Sequence, residues 1–409
     1  MPGVLPDGDP APTDGALPNG ARAALTGRPF GFYVHVPFCA SRCGYCDFTT
    51  YTATELGGGA AQATYADDAI AEIRLARRVL DDAAVPVSTV FFGGGTPTLL
   101  PPRDLARMLA AIGDEFGLAP DVEVTTEANP ESVDDRSLAA LREAGFSRIS
   151  FGMQSAREHV LAALDRVHTP GRAIAAVAEA RRAGFEHVNL DLIYGTPVET
   201  AADWHASLDA VVATGVDHVS AYALVVEDGT RMAAQVHRGE LAAPDDDVLA
   251  DRYVVAEETL SAAGYEWYEI SNWASGSQAR CRHNDGYWRG GNWWGVGPGA
   301  HSHVGGVRWW NVRHPSPYAD AVRAHASPAA ARETLTEGQR DMERVMLELR
   351  TRDGIELDLL SGGAQPVARR ALGDKLLDPS AYDEGRAVLT LAGRLIADRL
   401  VRDLVAEAE

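Results

Sequence analysis

Three of the protein's four cysteines fall within eight residues, Cys39, Cys43 and Cys46 in CASRCGYC, directly after the strand-like run GFYVHVPF. Grouped thiolates of this kind are what zinc and iron–sulfur clusters select. A structural zinc site is tetrahedral and closed, and His35 is the one nearby residue that could act as a fourth ligand. On a cubane, three thiolates leave one iron open to a small molecule. The spacing CxxxCxxC also differs from the CxxCxxC run of electron-transfer ferredoxins, where every iron is capped. Ser41, Arg42 and Gly44 around the thiols read as a loop and not as a packed core. The remote Cys281 reads as a buried free cysteine before it reads as a thiolate ligand.

Further polar residues of unlike chemistry sit where strand-like runs end. Gly94, Gly95 and Thr96 follow VSTVFF, Glu127 lies in VEVTTEANP, Gln154 closes FSRISFGMQ, and Asp191 lies in HVNLDLIYG. Two adjacent glycines let a ligand approach the backbone closely, because no Cβ stands in the way. A carboxylate can accept two hydroxyls, and an arginine such as Arg166 in LDRVH can hold a carboxylate through two parallel hydrogen bonds.

The elements that must position these residues are strands alternating with amphipathic helices. GFYVHV, VSTVFFGGG, VEVTTEANP, FSRISFGMQ, HVNLDLIYG and HVSAYALVVE are β-branched or aromatic, and most run into Gly, Pro or Asn. Between them, Leu105, Met108, Leu109, Ile112 and Phe116 form a helical stripe, and AIAAVAEARRAG ends on Gly184. Six strands with helical crossovers predict an α/β fold with a parallel sheet. Pattern alone does not separate an open sheet from a partial barrel. Polar residues recurring at successive strand ends favour the barrel, which gathers those ends around one mouth. The expected division is a disordered Pro-, Gly- and Asp-rich leader at 1–28, a barrel at 29–240, and a smaller C-terminal region at 241–409. In that last region RAVLTLAGRLIADRLVRDLV suggests a mostly helical, winged-helix-like unit.

Composition narrows the class of function. The 409 residues carry 58 Asp and Glu against 37 Lys and Arg, a net charge of -21, which argues against a nucleic-acid partner. No apolar run is long enough to span a bilayer, and the N-terminal residues lack the form of a secretory signal. Clustered free thiols suit a reducing compartment, so a cytoplasmic location is expected.

CASRCGYC resembles the signature of the radical S-adenosylmethionine (SAM) enzymes. The resemblance implies a 4Fe-4S cluster on Cys39, Cys43 and Cys46 whose open iron is chelated by SAM. In that family reductive cleavage of SAM yields methionine and a deoxyadenosyl radical. Together, YVHVPFC, GGGTPT, EANPES, SFGMQS, LDR and DLIYGTP are similar to the oxygen-independent coproporphyrinogen III oxidase branch, from about Phe30 to the C-terminus. That similarity implies a partial (β/α)6 barrel and SAM contacts at Tyr33, Gly94, Gly95, Thr96, Glu127, Gln154, Arg166 and Asp191, with Tyr45 close to the adenine.

The oxidases carry CxxxCxxCxC, whereas here Phe48 stands at the last position. The CDF ending and the later segment HNDGYW, residues 283–288, are similar instead to the HemW heme-chaperone group. That resemblance implies heme as cargo, a respiratory heme-acceptor protein as partner, and His283 as a heme ligand. From the residues alone, His283 reads equally well as a hydrogen-bonded link holding the C-terminal segment to the barrel. His301 and His303 in GAHSH are further candidate ligands. Coproporphyrinogen decarboxylation is the rival activity, and a zinc-stabilised binding module is a third reading. The electron donor is not encoded in any motif.

Overall fold

In the computed structural model, residues 6–25, 28–57, 60–81, 83, 85–166 and 169–406 are described. Twelve strands form one sheet: β1 (Phe30–Val36), β2 (Val87–Gly94), β3 (Leu118–Ala128), β4 (Arg148–Gln154), β5 (His187–Tyr194), β6 (His218–Ala223), β7 (Glu266–Glu269), β8 (Asn272–Ala274), β9 (Asn292–Val296), β10 (His301–Val304), β11 (Val307–Asn311) and β12 (Ala329–Thr334). Their order is β12-β11-β10-β9-β1-β2-β3-β4-β5-β6-β8-β7. The six predicted strands are therefore adjacent and parallel, each joined to the next by a helical crossover.

Side-chain pattern explains the order. β1 is buried along its length except for Tyr33, as befits a strand covered on both faces and paired in parallel on both edges. Leu105, Met108, Leu109, Ile112 and Phe116 are the buried face of the helix Pro102–Phe116, which opens on proline and stops at Gly117. Laid flat, six strands about 4.8 Å apart would spread their ends over roughly 24 Å. Here residues at the C-terminal ends of all six parallel strands, or just beyond them, line one cavity, so the sheet curls into a partial barrel.

The expected break at residue 240 does not divide the sheet. β9 to β12 extend it beyond β1, and β8 and β7 extend it beyond β6. The independent C-terminal core begins about a hundred residues later, with Val345, Leu349, Ile355, Val367, Leu377, Leu400 and Leu404 among its members. Strands Ile355–Glu356 and Arg386–Ala387 pair beside its helices, a small strand pair against a helical bundle.

The leader departs from the expectation of disorder over its described part. Asp9 and Arg332 exchange backbone hydrogen bonds of 2.8 and 2.9 Å, and Ala21 and Leu25 are buried. Its polar composition hides the cause: Asp9 bridges to β12 at the far end of the sheet, and two apolar side chains of the leader, Ala21 and Leu25, join the buried core.

Candidate functional site

Two cavities open at the C-terminal ends of the parallel strands. The first, about 540 Å³, is lined by Cys39, Cys43, Tyr45 and Cys46 from the loop after β1, by Gly94, Gly95 and Thr96 after β2, and by Glu127, Gln154, Arg166 and Asp191. All the expected cluster and SAM residues except Tyr33 thus share one wall. The second cavity, about 680 Å³, adjoins it: Asp47, Phe48, Gly94 and Glu127 line both. Tyr33 faces this second cavity, its hydroxyl 3.0 Å from His35 Nδ1.

The turn after β2 is set by close backbone packing. Gly95 lies against Phe38, where a Cβ would fall 2.5 Å from the carbonyl oxygen. The amides of Gly94, Gly95 and Thr96 donate to Glu127, Val36 and Phe38 at 2.8–3.0 Å, so the backbone of the turn has carbonyl oxygens and not amides to offer a ligand, which suits an ammonium group. Gln154 adopts φ 63°, a left-handed conformation unusual for a side-chain-bearing residue, at the point where the register of β4 against β5 slips. Arg166 reaches back from the far side: Nη2 donates to Gly152 O at 3.2 Å and Nη1 lies 3.5 Å from Cys43 Sγ. A Cβ on Gly152 would fall 2.4 Å from Arg166 Nη2, so the guanidinium keeps this position only beside a glycine.

Electrostatics at this mouth are poised for charged and hydroxyl-bearing ligands. Burial, with Asp191 nearby, pushes Glu127 up to about 8, against one stabilising hydrogen bond from Gly94. Asp191 is raised by burial although Ser150 donates to it at 2.8 Å and Asn189 at 2.7 Å. Ser150 opens the SFGMQS motif without standing out within it, and Asn189 lies just before DLIYGTP, detectable only as a polar residue on a strand. Burial, and then the neighbouring thiols, push Cys39 up to about 11.

The residues fit the groups that the cysteine motif implies. The thiols are free and share a wall with Arg166, whose buried Nε has no partner among the described residues, a donor left for a ligand carboxylate. Among the described residues, no three His, Cys, Asp or Glu side chains close around a single metal ion.

The histidines separate by their partners. His283 is 4% exposed and lines neither cavity. Its Nδ1 lies 2.8 Å from Thr89 Oγ1 on β2, its Nε2 lies 2.8 Å from the Tyr287 hydroxyl, and its amide donates to Glu123. Iron ligation by His283 would require breaking one of those ring contacts, so its geometry is that of a link between the helix Arg282–Trp288 and the sheet. Cys281 is buried beside Glu123, 3.6 Å away. His301 and His303 line the second cavity together with Trp293, Arg308, Arg313, Met346 and Leu347.

Comparison with known proteins agrees with these features. Residues 33–211 match the family model of the Radical SAM superfamily. The heme chaperone HemW of Mycobacterium tuberculosis is 54% identical over 94% of this chain and 96% of its own length. That of Synechocystis is 37% identical over 71% of this chain and 70% of its own. Among solved structures, the coproporphyrinogen III oxidase HemN from Escherichia coli, described as a radical SAM enzyme, superimposes with a TM-score of 0.79 at 23% identity, over 97% of this chain and 94% of that one. That last likeness establishes a shared fold.

Proposed function

The chain belongs to the HemW family, in the HemN-like branch of the radical SAM superfamily, and from that premise we propose that it binds heme and delivers it to an acceptor protein. A 4Fe-4S cluster on Cys39, Cys43 and Cys46, with SAM in the first cavity, completes the reading. The observation that carries it is the adjoining pair of cavities. One has three thiols and a ligand-seeking arginine; the other has exposed aromatic and thioether surface, and Phe48 lies between them. When bound, the cluster and SAM supply one-electron chemistry that side chains do not. The chain's own part is to hold and orient. Arg166 pairs with the methionine carboxylate, the glycine turn meets the amino group, and Glu127 accepts the ribose hydroxyls. Gln154, Thr96, Asp191 and Tyr45 close the pocket around the nucleoside.

Phe48 weighs against the oxidase reading, because an apolar, 60% exposed side chain stands where those enzymes carry a fourth cysteine. The acceptor is proposed to be a respiratory heme protein, and free thiols suit a cytoplasmic setting. Among the described residues no helix is long and apolar enough to cross a membrane. The test is run on anaerobically reconstituted protein. Heme titration should show saturable binding and passage to an apo-acceptor, while coproporphyrinogen III with reductant and SAM should give no protoporphyrinogen. Turnover of coproporphyrinogen without heme transfer would overturn the proposal. Replacing all three cysteines by serine should abolish bound iron and sulfide, which a zinc module would never have contained.

A further inference from the structure

The second cavity holds four features that belong together chemically. The first is an imidazole without a partner. Among the histidines lining it, His35 is hydrogen-bonded at both ring nitrogens, to Tyr33 at 3.0 Å and Thr49 at 2.8 Å. His303 is engaged at both as well, by Gly291 O at 2.7 Å and the Gly306 amide at 3.2 Å. His301 differs. Neither ring nitrogen has a hydrogen-bond partner among the described residues; its imidazole is stacked 5.9 Å from Trp310. His301 is exposed at the cavity wall; partial desolvation, with Arg313 and Arg308 nearby, lowers its pKa and so favours the neutral form, the state that ligates metal.

The second feature is a cation without a partner. Arg308 is ion-paired with Glu333 and Glu343. Arg313 has no carboxylate within ion-pair reach among the described residues, and its Nε is buried and unsatisfied. In a chain of net charge -21, an arginine left over at a cavity wall points to an anionic ligand. Third, the walls expose apolar surface that water does not favour: Phe48 at 60% and Met346 at 38%, with Trp293 held edge-on by Tyr287 at 4.6 Å. Fourth, about 680 Å³ falls within the range of roughly 300–1,000 Å³ that suits a sizeable organic ligand.

We infer that heme docks in this second cavity, with its iron on His301, a propionate on Arg313, and its macrocycle against Phe48, Trp293 and Met346. The inference rests on the heme-carrier reading above and adds the place of binding and the ligand. It assigns His283 to holding the wall instead of the iron. Through Thr89 and Tyr287, that residue fixes the aromatic pair Tyr287–Trp293 at the cavity's edge. It also puts heme next to the SAM cavity, across the shared residues Phe48 and Glu127.

The test is titration of tag-free full-length protein with ferric protoporphyrin IX, followed by absorbance and by electron paramagnetic resonance. His301→Ala should lose the imidazole-ligated spectrum and bind tenfold or more weakly, with exogenous imidazole restoring the spectrum. Arg313→Gln should weaken binding while leaving the ligand spectrum unchanged, because it removes a propionate contact and not an iron ligand. SAM binding should be unaltered in both variants, which shows that the barrel mouth is intact. If His301→Ala binds heme with the parent's spectrum and affinity, the inference is wrong and the carrier reading stands. If the parent itself shows no saturable heme binding, the carrier reading fails, and the inference with it.

Discussion

Glu127 is a partly buried carboxylate at the cavity wall with no ion-pair partner among the described residues, and its titration should be visible in ligand binding. Burial and Asp191 hold it protonated up to about 8 in the free protein. Accepting both ribose hydroxyls requires the ionised form, so binding SAM below that pH must expel a proton. SAM affinity of the reconstituted protein should therefore rise about tenfold per pH unit between roughly 6 and 7 and level off above 8. Glu127→Gln should be weaker and flat across that range; equilibrium dialysis at each pH measures both. The same linkage acts on folding with the sign of a raised acid. The native state holds a proton that the unfolded chain releases near about 4.3, so Glu127 costs the free protein stability as pH rises through about 8. A second residue tests the arginine. Gly152→Ala places a Cβ where Arg166 Nη2 now lies, and SAM affinity should fall about tenfold with iron content unchanged. At this scale the sequence was most readable where motif and strand end coincide, as for Cys39, Thr96 and Gln154. It was least readable for Asn189 and Arg313, which no motif contains and whose surroundings come from across the fold.

Among the elements, the helix Arg282–Trp288 and the segment before it depend on one buried ion pair. Arg148 Nε on β4 lies 3.1 Å from Glu123 Oε2 on β3, and its Nη2 donates to the carbonyls of Ala279 and Arg280 at 2.9 and 3.0 Å. The other carboxylate oxygen of Glu123 accepts the His283 amide at 3.1 Å. Removing the arginine alone leaves a carboxylate buried and unpaired, so Arg148→Ala should destabilise the protein by about 3–5 kcal/mol in urea unfolding. The double variant Glu123→Ala/Arg148→Ala should cost less than the sum of the two single changes. This ion pair also shows where sequence patterns end. β1 to β6 are legible because each buries a continuous β-branched or aromatic run between helices of clear 3.6-residue period. β9 to β11 lie in NWWGVGPGAHSHVGGVRWWN, where glycines break any periodicity and the pairing partners are remote in sequence. The parallel pairing of β9 with β1 joins residues some 260 positions apart, a contact that no local pattern announces.

For the whole molecule, the position of the true division decides what each part can do alone. β1 is an interior strand only because β9 flanks it, and β6 only because β8 does. A chain ending at residue 240 would leave both as unpaired edges beside buried Phe30, Phe32 and Val34, and exposed edges of that kind aggregate. That fragment should be insoluble. A chain ending at residue 336 keeps all twelve strands and loses the helical unit with its own core. It also loses Glu343, Met346 and Leu347 from the wall of the second cavity, and the Arg394 contacts to Glu257 at 2.8 Å and to the Trp267 ring at 4.3 Å. It should remain soluble, reconstitute its cluster and bind SAM as the parent does, while binding heme at least tenfold more weakly. Circular dichroism, iron content and parallel titrations of the two ligands read these outcomes separately. Equal heme affinity in the shorter chain would mean that the C-terminal unit plays no part in holding the cargo.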